Sequence, residues 1–180
     1  MDDTHVPAFA PTTGLPGLDA VLRGVQRGDN IVWQIQSLDE YLALVQPYAR
    51  AARAQRRRLI YFRFASHAPL LDPEAGVEEG VEIHHPRPQD GFDAFVDQVH
   101  SVIEAAGRET MYVFDCLSEL AEAWQSDRMM GNFFRLTCPR LFDLDTVTYT
   151  LAGRAGAHGW GLAGDTSAAL EALGRYYPDT

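Results

Sequence analysis

The chain contains no lysine; all fifteen of its basic residues are arginine. This excludes Schiff-base chemistry, a lysine general base, and the lysine that grips the outer phosphates in a phosphate-binding loop. Cysteine is nearly absent as well. Cys116 follows an expected buried strand and Cys138 precedes Pro139. Neither has metal-ligand spacing, so both read as free thiols in a reducing cytoplasm. No apolar run approaches the roughly 18 residues needed to span a bilayer, and the opening MDDTHVPAFAPTT lacks a basic-then-apolar signal pattern. Positive charge is scarce: fifteen basic against twenty-five acidic residues leave a net charge of −10. That balance argues against non-specific nucleic-acid binding and against docking on an acidic membrane surface.

What is present suits one folded domain. A length of 180 residues is enough to bury a full core. Residues 1–11 read as a flexible lead and 12–180 as a single domain. Leu18, Val21 and Leu22 suit a short helix with one buried side. Gly28-Asp29 turns into a strand, Asn30–Ile35, whose Ile31, Val32 and Trp33 form an unbroken apolar run. Ser37 with Glu40 three residues on forms a capping box, and Leu38, Tyr41, Leu42, Val45, Tyr48 and Ala49 repeat at helical spacing. Pro47 inside that helix predicts a kink or an early break. Further strands are expected at Leu59–Phe64, Val81–His84, Thr110–Asp115 and Thr146–Leu151. Asp90 is placed to cap a helix carrying Phe92, Phe95, Val96, Val99, Ile103 and Ala106 on one face. Helical segments are expected at Leu117–Gln125 and Asp127–Leu136. After the last strand come a glycine-rich loop, Gly153–Gly164, and a capped helix, Asp165–Arg175. Apolar strands alternating with amphipathic helices predict an α/β fold with a mainly parallel sheet covered on both faces.

Two stretches resemble a known family. TGLPGLDAVLRGVQRGD is similar to the approach to the first strand in the KaiC branch of RecA-like ATPases, and TMYVFDCLSEL is similar to that family's Walker B strand. The resemblance implies a three-layer RecA-like (P-loop NTPase-like) domain. Aligning the strands puts Gln34-Ile35-Gln36-Ser37-Leu38-Asp39-Glu40-Tyr41 over the Walker A loop. A working loop wraps phosphate with glycine backbone, holds it with lysine and binds Mg²⁺ through Ser or Thr. Here no glycine remains and Glu40 or Tyr41 stands at the lysine position. The paired glutamates that end the family's second strand are missing too, since the corresponding residues are Phe62-Arg63-Phe64-Ala65-Ser66-His67. A degenerate Walker A is therefore expected, without ATP hydrolysis by the usual route.

A narrower resemblance runs through GDNIVWQ, S-x-x-x-Y, LIYFRFASH, YVFDCLSEL and SDRMMGNFFRLTCP. These look like an N-terminal domain attached to some phosphoenolpyruvate synthase or pyruvate phosphate dikinase-like proteins. The resemblance implies a phosphotransferase, or the rest of a longer chain, as partner. It also implies more chain after Arg175, so the ending at Thr180 reads as either cut or genuinely shortened. It carries over no catalytic residue. Self-association is expected by analogy only.

Candidate ligand-binding residues are Gln34, Ser37, Asp39, His67, Asp115, Ser118 and Arg128. Asp115 ends a central strand at the carboxyl edge, where ligands of open α/β sheets gather; it reads equally as a Mg²⁺ or ligand carboxylate and as a helix cap. Arg128 could take a carboxylate or phosphate bidentately, although Ser126-Asp127-Arg128 is also an ordinary helix start. Gln34, Gln36, Ser37 and Asp39 could hold a neutral polar ligand or satisfy local backbone. His67 is well placed for a pocket. His84-His85 are adjacent on an extended segment, point to opposite faces and suit no metal. Arg50, Arg53, Arg56, Arg57 and Arg58 complement the end of a helix and read as a solvated face or as a salt-bridged contact with an acidic partner, not as a nucleic-acid surface. The leading expectation is a non-hydrolysing regulatory or docking module in the cytoplasm, with no cofactor and no catalytic residue. The alternative is a small-ligand or nucleotide-binding enzyme using Asp115, Ser118 and Arg128 without a P-loop, for which ATP and Mg²⁺ would be ligands.

Overall fold

A computed structural model describes residues 8–35, 37–71 and 80–153. Chain order is α1 (Pro16–Val21), β1 (Asn30–Ile35), α2 (Leu38–Ala54), β2 (Leu59–Arg63), β3 (Val81–His84), a 3-10 turn (Pro88–Asp90), α3 (Phe92–Ala106), β4 (Met111–Asp115), α4 (Leu117–Trp124), α5 (Asp127–Asp143) and β5 (Val147–Gly153). The five strands form one all-parallel sheet in the order β1-β5-β4-β2-β3. The glycine-rich loop beyond Gly153, the expected helix Asp165–Arg175, and Gln36 lie outside the described residues.

Alternation along the strands divides the core into two layers. Leu59, Tyr61, Met111, Val113, Val147, Tyr149 and Leu151 face α2, meeting its buried Tyr41, Val45, Tyr48, Ala49 and Ala52. Ile60, Phe62, Tyr112, Phe114 and Ala152 face the other way, against Phe95, Val99 and Ile103 of α3, Leu117 and Leu120 of α4, and Phe133, Phe134, Cys138 and Leu141 of α5. The result is a three-layer α/β/α arrangement, which explains why β2 and β4 read as apolar throughout.

Several local expectations are corrected. The helix α2 runs through Pro47 without breaking. α5 likewise continues through Pro139 to Asp143 instead of stopping near Leu136. Each proline removes one amide donor, and packing of the apolar stripes on the sheet outweighs that loss. Asp90 sits inside the 3-10 turn, and Gly91, at φ 100°, precedes α3 in its place. α1 buries no residue: Val21 is 77% exposed and Leu22 45%. Ile31, Val32 and Trp33 are only half-buried, because β1 has one strand neighbour among the described residues.

The turn before β1 closes on itself. Asp19 Oδ1 accepts from the Thr13 amide (2.8 Å) and hydroxyl (2.6 Å), and Oδ2 accepts from the Thr12 hydroxyl (2.5 Å). Tyr149 donates to the Thr13 carbonyl (3.0 Å) and stacks on Tyr48 with centroids 3.9 Å apart. Tyr48 in turn donates to the Val147 carbonyl (2.6 Å). Turn, helix and sheet are thus tied through two buried phenols. Burial would raise the Asp19 carboxyl, but the hydrogen bonds from Thr12 and Thr13 outweigh it and hold the group below its ordinary value. Its contribution is therefore present above the usual carboxylate range and lost as pH falls through that range. Asp19→Ala should cost about 1–2 kcal/mol in urea unfolding at pH 7, and the gap to wild type should narrow below about pH 4.

Candidate functional site

The carboxyl edge of the sheet collects the ends of β1, β2, β4 and β5. In a parallel sheet, strands two places apart stand roughly 10 Å from each other. The β1–α2 turn and Asp115 are separated by β5 alone, so they share this edge.

Asp115 is fully buried. Its residue pairs with Arg63 in the β2–β4 register, which puts its side chain on the same face as Tyr61. Tyr61 donates its hydroxyl to Asp115 Oδ2. His67 Nε2 lies 2.8 Å from Asp115 Oδ1, and His67 Nδ1 lies 2.6 Å from the Ala68 carbonyl. Nδ1 faces a carbonyl oxygen and donates to it, and Nε2 faces the carboxylate, so the ring is held between Asp115 and the loop backbone. Both oxygens of Asp115 are engaged within the protein.

The loop after β2 is built around this cluster. The backbone amides of Phe64 and Ala65 both donate to the Asp115 carbonyl, at 2.9 and 3.0 Å. Arg63 donates to the His67 carbonyl. Glu119, from the first turn of α4, accepts from the Ser66 hydroxyl (2.8 Å) and amide (3.2 Å). The Tyr41 ring closes the side towards α2, 6.3 Å from the His67 ring. Burial, then the neighbouring Asp115, pushes the Tyr61 phenol well above its ordinary value; it stays protonated and remains a donor. Burial, with Asp115 next, likewise pushes the Cys116 thiol up to about 12, so it is no nucleophile at neutral pH. Ser118, buried in the first turn of α4, lies against the Cys116 sulfur.

The β1–α2 turn has a different character. Gln34, Ser37 and Asp39 are exposed. The Ser37 hydroxyl accepts from the Glu40 amide at 3.3 Å and caps α2. Asp39 and Glu40 both stand in the first turn. Carboxylates there satisfy the positive end of the helix, the feature that would otherwise attract an anion. Arg128 is exposed in the first turn of α5, in the layer opposite α2. Of the seven candidate residues, the structure bonds His67 to Asp115 and sets Ser118 beside Cys116. It leaves Gln34, Ser37, Asp39 and Arg128 on the surface.

Sequence reasoning missed Tyr61 and Arg63. A signal for Tyr61 exists: in β2 and β4 read with period two, Tyr61 and Asp115 share a face, close enough for a diagonal contact. Among the described residues no three His, Cys, Asp or Glu side chains gather as a metal site, and no helix is long and apolar enough to cross a membrane. No protein-family model matches the chain, and neither does any curated protein sequence.

Proposed function

We propose that the chain is a non-hydrolysing RecA/KaiC-like domain that serves as a regulatory or docking module for a phosphoenolpyruvate synthase-like phosphotransferase. The observation that carries the non-hydrolysing part is the engagement of Asp115. A Walker B carboxylate must offer an oxygen to Mg²⁺ or its water shell. Here Tyr61 and His67 hold both oxygens in a buried network. Freeing one would leave a buried donor without a partner, at about 1–3 kcal/mol. Across β5, the helix start that would cradle phosphate carries Asp39 and Glu40. Strand order supports the RecA-like reading, because it sets the β1–α2 turn and Asp115 on one edge, as a Walker A and Walker B pair requires. The phosphotransferase partner rests on the sequence resemblance.

The test is a thermal-shift titration with Mg²⁺–ATP, ADP and phosphoenolpyruvate at millimolar concentrations. A ligand that binds the native state must raise its apparent stability. The expected result is no shift with either nucleotide. A nucleotide-dependent rise of several degrees would sink the reading. Docking is read separately, by retention of a purified phosphoenolpyruvate synthase-like enzyme on the immobilised chain.

A further inference from the structure

The amino edge of the sheet carries a network of its own. Charged residues stand just ahead of the strands in pairing order: Arg27 before β1, Asp145 before β5, Glu109 before β4 and Arg57 before β2. Glu109 joins the two ends of this row. Its Oε1 accepts from Arg27 at 2.8 Å, and its Oε2 pairs with Arg57 at 2.8 Å. The Glu109 amide donates to the Leu144 carbonyl at 2.9 Å, which holds the turn before β4 against the turn before β5. Asp145 pairs with Arg108 and lies 4.0 Å from Arg27.

The same two arginines hold the segment Ala8 to Pro11. Phe9 is buried, with the guanidinium carbons of Arg27 and Arg57 5.7 and 5.5 Å from its ring centre. Arg27 Nη2 donates to the Phe9 carbonyl at 3.1 Å, and the Ala10 amide donates to Gln55 Oε1 at 2.9 Å. Phe9 is the one buried side chain of residues 8–11. The far end of this strap is anchored separately, where Thr12 and Thr13 bond Asp19. Its near end thus rests on one aromatic ring and two cations that share Glu109. The Arg27 and Glu109 side chains are 43% and 24% exposed, so water and salt reach that pair. The strands beside it are joined by ladder hydrogen bonds around a closed core, which is a stronger hold.

We propose that residues 8–11 are a salt-sensitive latch on the amino edge of the sheet, closed by Glu109 through Arg27 and Arg57, which swings open about Thr12-Thr13 while the five strands stay paired. Glu109 is the keystone because one carboxylate neutralises both guanidinium groups at the Phe9 ring. Without it, two like charges converge on one side chain. The latch lies at the edge away from Asp115 and does not depend on the pseudo-ATPase reading.

The test is limited chymotrypsin digestion of the full chain, with the cut after Phe9 followed by mass and hydrogen exchange at the Tyr112 and Val113 amides followed alongside. Glu109→Gln keeps the side chain's shape and removes the shared charge. It is expected to speed the cut after Phe9 by about tenfold while exchange in β4 stays at the wild-type rate. Glu82→Gln is the matched control: it breaks the bidentate pair with Arg58 (2.7 Å twice), which includes neither Arg27 nor Arg57, and should be cut as wild type. In wild type the cut should quicken several-fold between about 0.05 and 1 M sodium chloride, relative to a free peptide substrate in the same buffers. Equal cleavage of wild type and Glu109→Gln would mean that the carboxylate does not close the strap. Faster cleavage only together with faster exchange in β4 would mean that the strap opens by global unfolding. Wild type cut as fast as the free peptide would mean that it is never closed. Each of these overturns the proposal, and if Glu109→Gln does not fold, a wild-type rate indifferent to salt overturns it as well.

Discussion

Asp115→Ala is expected to lower the unfolding free energy by about 3–5 kcal/mol in urea or guanidinium melts, the cost of breaking a buried hydrogen-bond network. The variant strips the carboxylate from the buried Tyr61 hydroxyl and from His67 Nε2 at once, and opens a small void between β4 and the His67 loop. At roughly 2–4 °C per kcal/mol for a domain of this size, the melting point should fall by about 6–20 °C. Asp115→Asn gives the sharper comparison. Its amide oxygen can still accept from Tyr61. Its NH₂ can donate to Nε2 of a neutral His67 whose Nδ1–H continues to serve the Ala68 carbonyl. Every bond has a replacement, so the expected cost is about 1 kcal/mol or less. A metal-binding carboxylate would behave oppositely: the amide would abolish metal-dependent function while the fold held. If alanine and asparagine prove equally mild, the network is not what holds this edge together.

Gly14→Ala should be comparably severe, at about 3–4 kcal/mol by the same melts, for a different reason. Gly14 sits at φ +79° against the middle of α2. A methyl group there would overlap the Pro47 carbonyl carbon and oxygen and lie 2.7 Å from the Tyr48 nitrogen. These are backbone atoms of a helix, and they cannot swing aside as a flexible side chain would. A positive φ costs a non-glycine residue about 1–2 kcal/mol, and overpacking adds about 1–3 kcal/mol. Gly24→Ala isolates the first term. It has φ +94° but meets nothing nearer than the Gln26 side chain at 3.8 Å. A loss at Gly14 no larger than at Gly24 would mean that the turn can lift off α2 freely.

The pair also shows what could be read in the sequence. Thr-Gly-Leu-Pro-Gly-Leu-Asp stood out as the approach to the first strand, but sequence cannot say that Gly14 is pressed against a proline 33 positions later. The strands and the two-faced core were legible because period-two and period-3.6 patterns are local. Ser37 as the cap of α2 was legible for the same reason. The end position of β1 among the described strands was not. Ile31-Val32-Trp33 is as apolar as a central strand, and only the pairing order reveals how little covers it. Asp115 and His67 were each picked out, yet their bond spans 48 residues and follows from how the Phe64–Leu71 loop folds back over β4. Pro47 does not break α2 because propensity is a weak prior once a helix is pressed on a sheet. The arginines at the end of α2 were grouped as a cluster. What sequence left out is their division of labour, with Arg57 and Arg58 in ion pairs and Arg56 at a strained cap.

The pairing of β1 with β5 also sets an order of events during synthesis. On a ribosome delivering the chain from its amino end, Asn30–Ile35 emerges early, and its partner among the described strands, Val147–Gly153, emerges last. Until then Ile31, Val32 and Trp33 present an uncharged ribbon with open hydrogen-bonding groups, the kind of surface that holdase chaperones retain and that nascent chains aggregate through. Among the described strands the order is all-parallel, with no hairpin that would pair β1 sooner. A nascent chain stalled before β5 should therefore remain chaperone-bound while its β2–β4 half is already complete.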